Sequence, residues 1–296
     1  MLIKKSLLSC AIAASISITA AYANTIDNHL NFSANESSTI PTYVEINPAA
    51  FGHNIQVIRK TVGPNVKICA VMKSDAYGNG INNLINEAIA QNVDYIAAVD
   101  NKEFGVIAPA VIKSGKNIHM LRIAPVTKSE LIEEIQNGWN IEEIAGSVEE
   151  ARMLSNTAQE MSKKLNRKVI IGVHLNVETA MGRMGVRLIS DMKKIILMPN
   201  LKLMGIMTHF AKDYEDPPTD YDYTRMQLNL FESAVSQLHL ESSVIKHVAN
   251  SAALLKFPWT HLDMVRAGAI MYGADFDGMG DESSLSRQDR KSTRLN

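Results

Sequence analysis

KICAVMKSDAYGNGINNLINEAIAQNVDYIAAV, residues 67–99, holds one full turn of the pattern on which the fold depends. Lys67–Met72 is a short, mostly apolar run with β-branched members, as expected of a strand covered on both faces. A polar turn with Gly78 and Gly80 follows, and Ile81–Gln91 is amphipathic at helical spacing. Tyr95–Val99 then returns to strand character. The same alternation extends in both directions. Further strands are expected at Tyr43–Ile46, Asn117–Leu121, Ile141–Ala145, Val169–Leu175, Leu203–Thr208, Val244–Val248 and Met264–Ala267. Helices are expected between them, among others at Lys128–Asn137, Val148–Lys164 and Tyr223–Leu238. Ser147 is placed to cap the second of these, with Glu149 and Glu150 in its first turn. Strand, helix, strand repeated in this way argues for an α/β protein with a parallel sheet. Eight strands follow Tyr43–Ile46, which suits a (β/α)8 barrel of the TIM type, typically about 250 residues long. A doubly wound open sheet is the alternative. No internal sequence repeat is evident.

Composition narrows the function classes. Of the 296 residues, 46% are hydrophobic and 21% charged, enough apolar material for a sizeable core. Thirty basic residues oppose 31 acidic ones, so there is no electrostatic footprint for nucleic acid. With 16 Gly, 9 Pro and 2 Cys, collagen-like and disulfide-scaffold readings also fail.

Residues 1–23 read as a secretory signal peptide. Lys4 and Lys5 precede an apolar run from Leu7 to Ala20, and Ala21-Tyr22-Ala23 is a small-x-small cleavage pattern. The run is short for a membrane span, so no stable membrane association is expected after cleavage. Removal of this segment takes two lysines and no acids, moving the net charge from −1 to −3. Cys69 is then the only cysteine, so no internal disulfide is possible. Export without disulfides suits the periplasm. Residues 24–42, rich in Asn, Ser and Thr, are expected to form a flexible lead-in to the barrel at 43–273.

Lys73 ends the first strand of the quoted segment, where a barrel forms its active site. A lysine beside apolar residues can be desolvated and act as a Schiff-base nucleophile, although a loop lysine is more often simply solvated. Five segments in order carry a resemblance that bears on this choice. They are Lys73-Ser74-Asp75-Ala76-Tyr77-Gly78-Asn79-Gly80, Met181-Gly182-Arg183-Met184-Gly185, Thr208-His209-Phe210, Ala249-Asn250-Ser251-Ala252 and Arg266-Ala267-Gly268. Together they resemble the alanine racemase family, pyridoxal-phosphate enzymes built on a barrel.

The resemblance implies a site. Lys73 would hold pyridoxal 5′-phosphate covalently and exchange a proton with the substrate α-carbon. Tyr77 would offer its hydroxyl to the phosphate, and the loops carrying Asn250, Ser251, Gly268 and Ala269 would offer backbone N–H groups and a helix N-terminus. Loops after strands seven and eight are where barrels commonly bind phosphate, so the fold reading agrees. Arg266 would face the ring nitrogen and, having no acceptor, keep it from gaining a proton. His209 would orient Arg266, and Arg183 would reach the ring hydroxyl or the substrate carboxylate. The implied activity is interconversion of L- and D-amino acids, alanine first, with lysine and arginine if the pocket is broad. The alternatives are a non-catalytic pyridoxal-phosphate-binding barrel and a pyridoxal-phosphate amino-acid decarboxylase. Arg266 argues against the decarboxylase, which benefits from a protonated ring nitrogen. His174, His247 and His261 lack a spacing that would make a zinc site persuasive, and no metal is expected.

Three departures qualify the resemblance. Asn176 stands where alanine racemases often carry a carbamylated lysine that steadies the arginine, so an anion or another hydrogen bond would have to substitute. Asn79 replaces the histidine frequent in the family's turn. With Asn176 and export this leans towards the periplasmic broad-specificity type, whereas Gly182-Arg183-Met184-Gly185 looks more like ordinary alanine racemase, so specificity stays open. The family also follows its barrel with a β-rich domain that supplies a tyrosine as second base across a homodimer interface. Residues 274–296 do not resemble that domain and carry no tyrosine. The expectation is therefore a C-terminally truncated product whose tail is disordered or foreign, and no second base is named.

Overall fold

Eight strands, each parallel to its neighbours, run in the order β7-β6-β5-β4-β3-β2-β1-β8. The computed structural model describes residues 44–213 and 219–274. The expected signal peptide, the lead-in and all of the expected tail except Ala274 lie outside them. The elements are α1 (Pro48–Val62), β1 (Lys67–Val71), α2 (Ile81–Ala90), β2 (Tyr95–Ala98), α3 (Asn101–Ser114), β3 (His119–Arg122), α4 (Lys128–Asn137) and β4 (Ile141–Ala145). There follow α5 (Val148–Lys164), β5 (Ile171–Asn176), α6 (Ile189–Ile196), β6 (Leu201–Met207), α7 (Thr219–Leu238), β7 (Ile245–His247), α8 (Ser251–Lys256) and β8 (Met264–Ala267). The two ends of the sheet meet: Asp263 N donates to the Lys246 carbonyl at 3.1 Å, and Arg266 N to the Ala249 carbonyl at 2.9 Å. These bonds draw β8 against β7 and bring the sheet close to a closed (β/α)8 barrel. Among the described residues no helix is long and apolar enough to cross a membrane.

Period-two alternation sorts the side chains into two layers. Ile68 and Ala70 of β1 and Ile96 and Ala98 of β2 face outward and pack with the helices in the main core. Cys69, Val71, Tyr95 and Ala97 face inward and share a smaller cluster with Leu121 and Met264. The interior also takes His174, His247 and Arg266, all buried, together with Glu142. A barrel is more often filled with Val, Ile and Leu, so this polar column is a particular of the chain.

One expected strand is absent where it can be seen. Residues 44–46, the described part of Tyr43–Ile46, are irregular, and α1 begins two residues later with Asn47 capping it. The Asn47 side chain accepts from Ala50 N at 3.1 Å, and Pro48 cannot donate to a strand ladder. The other eight strands form as expected, two with the expected ends and six with ends shifted by one or two residues.

Candidate active site

A cavity of about 670 Å³ opens at the C-terminal end of the strands. All nine sequence-predicted residues line it: Lys73, Tyr77, Arg183, His209, Asn250, Ser251, Arg266, Gly268 and Ala269. They arrive from the ends of β1, β5, β6, β7 and β8, so the barrel unites segments almost two hundred residues apart in the chain.

Lys73 opens a turn of unusual hand. Ser74, Asp75, Ala76 and Tyr77 all have φ between 52° and 55°, a left-handed helical turn made without glycine. Each such residue costs about 1–2 kcal/mol in isolation, so the surroundings must hold the turn. Asp75 N donates to Glu103 Oε1 at 3.0 Å, and the other carboxylate oxygen accepts from Val99 N at 2.9 Å. The Asp75 side chain in turn accepts from Ile81 N at 2.7 Å, tying the turn to the start of α2. Gly78, with φ of 85°, closes it. The turn carries Tyr77 back over the cavity, where its ring lies 4.8 Å from that of Tyr272. Tyr272 is itself fixed by donating to the Val71 carbonyl at 3.0 Å. Lys73 is half-buried, with its ammonium 5.8 Å from the Tyr77 ring centre, and makes no hydrogen bond or ion pair among the described residues. Burial raises the Tyr77 phenol above its ordinary value, so it stays a neutral hydroxyl donor.

Opposite Tyr77 lies a polar cradle. Asn250 caps α8, its side chain accepting from Ala253 N at 3.1 Å. Ser251 Oγ accepts from Gly268 N at 2.9 Å and from Ile270 N at 3.4 Å, joining the loops after β7 and β8. A Cβ on Gly268 would run into the Tyr77 hydroxyl. The cradle therefore requires glycine for space.

Arg266 is buried and held from all sides. Its Nη1 donates to the His247 carbonyl at 2.8 Å and to His247 Nδ1 at 3.0 Å. Its Nη2 donates to the carbonyls of Thr208 at 2.8 Å and Val248 at 3.1 Å and to His209 Nδ1 at 3.3 Å. Among the described residues that leaves Nε–H as the guanidinium donor without a partner, on a side chain that lines the cavity. Burial lowers the guanidinium to about 10, so it remains charged at neutral pH. Burial, then Arg266, Arg183 and Lys73, push His209 down to about 3. Its imidazole is neutral, with Nδ1 accepting and Nε2–H left to donate.

Arg183 sits on the loop between β5 and α6 and makes no hydrogen bond or ion pair among the described residues. Asn176 acts on the backbone of that loop instead of on the guanidinium, donating to the Met184 carbonyl at 2.8 Å. The loop is anchored elsewhere by Thr179, whose hydroxyl meets that of Thr208 at 2.6 Å. Gln227 on α7 donates to Thr179 Oγ1 and to the His209 carbonyl, both at 3.2 Å. Sequence reading missed Glu103 and Gln227. Glu103 is a first-turn acid of α3, which Asp100 caps, and neither it nor Gln227 falls in a segment that the sequence analysis singles out.

The alanine racemase N-terminal domain profile matches residues 46–275. A broad specificity amino-acid racemase from Vibrio vulnificus is 34% identical over 285 residues, covering 91% of this chain and 65% of that protein. An alanine racemase from Syntrophobacter fumaroxidans is 31% identical, covering 79% and 59% respectively. A solved alanine racemase from Clostridium difficile superposes with a TM-score of 0.71 at 28% identity, over 83% of this chain and 62% of that one. The chain thus spans somewhat under two thirds of the length of these relatives.

Proposed function

The chain belongs to the alanine racemase family through its N-terminal domain, and from that membership we infer that it supplies the cofactor-binding barrel of a pyridoxal-phosphate amino-acid racemase. The observation that carries this reading is the convergence of Lys73, the Tyr77–Ser251–Gly268 cradle and Arg266 on one cavity. The residues fit the cofactor. The cradle offers the Tyr77 and Ser251 hydroxyls, as a phosphate requires, and Gly268 leaves the space that the Tyr77 ring occupies. The unpartnered Nε–H of Arg266 offers one donor to a ring nitrogen.

Bound there, pyridoxal 5′-phosphate supplies an electron sink for the pair left when an amino-acid Cα–H bond breaks. The chain's own residues do the rest. Lys73 would anchor the cofactor through its amine and, once the substrate's amine has taken its place, would carry the proton to and from Cα on its face. Arg266 presents a donor and no acceptor, so it would hold a ring nitrogen unprotonated and keep the sink weak, which would favour return of the proton. Neutral His209 braces that guanidinium through Nδ1. Arg183, unpaired among the described residues, would take the substrate carboxylate.

Alanine is the first substrate of this reading. The likeness to a protein named a broad specificity racemase, together with the cavity's size, supports an extension to lysine and arginine. Export to the periplasm follows from the N-terminal pattern, and a homodimer follows from the family. The test is to add pyridoxal 5′-phosphate to the purified chain, reduce with borohydride and map the labelled peptide. Amino acids are then incubated in D2O with the loaded chain, and both deuterium uptake at Cα and chirality are followed. A label on Lys73 with loss of optical purity supports the reading. A label elsewhere, or carbon dioxide release from lysine or arginine without racemisation, overturns it.

A further inference from the structure

Down the barrel axis runs a chain of hydrogen bonds that starts at the cavity and leaves it. Arg266 Nη1 meets His247 Nδ1 at 3.0 Å, and His247 Nε2 meets His174 Nδ1 at 2.7 Å. His174 Nε2 then meets Glu142 Oε2 at 2.6 Å, and Glu142 Oε1 meets His119 Nδ1 at 2.7 Å. The five side chains come from β8, β7, β5, β4 and β3, each pointing inward. Four are buried, while the His119 side chain, at the start of its strand, is 34% exposed. Gly205 on β6 leaves the space this needs, since a Cβ there would strike the His174 ring.

The two ends of the buried part have opposite and fixed characters. A guanidinium only donates, and an ionised carboxylate only accepts. Burial pushes the Glu142 carboxyl up, but its hydrogen bonds with His119 and His174 outweigh this and hold it at about 2, so it is ionised. Between such ends two imidazoles can be ordered in one way. His174 accepts at Nδ1 and donates from Nε2 to Glu142; His247 accepts at Nδ1 from Arg266 and donates from Nε2 to His174. Moving the proton on either ring, or adding one to His174, sets donor against donor somewhere in a dry interior, which is costly. Burial, together with His174 and Arg266, pushes His247 well below the ordinary imidazole range, in keeping with a neutral ring.

We propose that Glu142 is a positioning residue: through His174 it fixes the tautomer of His247, and His247 so fixed holds Arg266 with Nη1 turned inward and Nε–H presented to the cavity. This rests on the reading that Arg266 serves the cofactor's ring nitrogen, but its first test does not involve the cofactor. Glu142 is not among the residues that line the cavity, and its hydrogen bonds go to His174 and His119. It acts on the site only through the histidines.

The test uses 15N-histidine NMR on the purified chain, with no cofactor added. Expected are Nε2–H tautomers for both His174 and His247, each with an acceptor-type Nδ1. An Nδ1–H tautomer at His247, or a doubly protonated His174, overturns the proposal without any variant having to fold. In Glu142→Gln the new amide can turn a donor towards His174, and the single tautomer is expected to be lost. Cofactor carrying a 15N ring nitrogen then reads the effect on the site: its resonance is expected to shift between wild type and Glu142→Gln. An unchanged resonance makes the column merely structural and overturns the positioning role. If the chain shows the expected tautomers but takes up no cofactor, the racemase reading fails while the assignment of the column stands.

Discussion

Lys73, Arg183 and Arg266 bring three cations to one cavity, and their different surroundings fit them for different work. Arg266 has three carbonyls and two ring nitrogens within 2.8–3.3 Å, so its position is set by the protein. Among the described residues Arg183 has no such partners, and Asn176 steadies the loop under it through the Met184 carbonyl. A side chain without protein partners contributes little to folding, so Arg183→Ala should change stability by no more than about 0.5 kcal/mol. It should weaken binding of an amino-acid carboxylate by roughly ten- to a hundredfold, the worth of a charged hydrogen bond. Thermal denaturation beside substrate titration checks this; a lowered Tm with unchanged affinity would make Arg183 structural. Gly268→Ala is expected to behave in a related way. Its Cβ meets the Tyr77 hydroxyl, an overpacking worth about 1–3 kcal/mol that falls on the cofactor cradle. The variant should fold, shown by an intact far-UV spectrum, and lose affinity for pyridoxal 5′-phosphate.

At the scale of elements, the strands were legible because parallel strands covered on both faces are short apolar runs, and Ile141–Ala145 and Met264–Ala267 form with the expected ends. Val148–Lys164 was legible through its cap, with Ser147 Oγ accepting from Glu150 N at 3.0 Å. The nine cavity residues were legible because they fall in five ordered segments that together resemble one family; eight lie past strand ends and Arg266 lies within β8. The polar column was not. Glu142 and Glu143 are adjacent and alike in sequence, yet period two sends Glu142 inward to the histidines and Glu143 outward to Arg122. Nothing local tells which is which until the barrel closes. The left-handed turn was equally hidden, because Ser74–Tyr77 contain no glycine to announce it. That turn makes a prediction of its own. Ser74 is exposed, with φ of 55° and ψ of 46°, and glycine takes that conformation without the Cβ penalty. Ser74→Gly should therefore stabilise the chain by about 0.5–1 kcal/mol, the left-handed cost less the entropy glycine loses on folding. Urea unfolding measures it, and destabilisation by a similar amount would show that the serine backbone is not strained.

For the molecule as a whole, dependence of stability on pH is set by buried groups on both sides of the barrel wall, and they pull in opposite directions. Outside the wall, Arg122 donates from Nε to both Glu143 oxygens at 3.0 Å and from Nη2 to Glu134 at 2.9 Å. One guanidinium thus serves two buried carboxyls, with a third, Glu130, at 4.0 Å and partly exposed. Burial raises Glu134 to about 7, Arg122 opposing, and raises Glu143 with the help of Glu134. The folded pair therefore keeps a proton that the unfolded chain releases near the ordinary glutamate value of about 4.5. Because the folded state binds more protons in this window, the pair's stabilisation is full below about 4.5 and is lost as pH rises through about 7. Inside the wall the sign is reversed. His209, lowered to about 3, stays neutral while the unfolded histidine protonates below 6.5, so its contribution grows as pH rises through that range. Glu142, held at about 2, likewise favours the fold only above the acid range. The raw stability curve mixes these contributions, but a difference curve separates them. Glu134→Gln leaves Arg122 with one buried carboxyl and removes the like charge that helps raise Glu143, while the histidines and Glu142 are untouched. The stability of wild type relative to Glu134→Gln should fall between pH 4.5 and pH 7, with a slope no steeper than about 1.4 kcal/mol per pH unit for one proton. Chemical denaturation of both proteins across that range decides it. A difference that is flat or rises with pH would mean that both carboxyls are ionised in the fold and that the proton is not shared around Arg122.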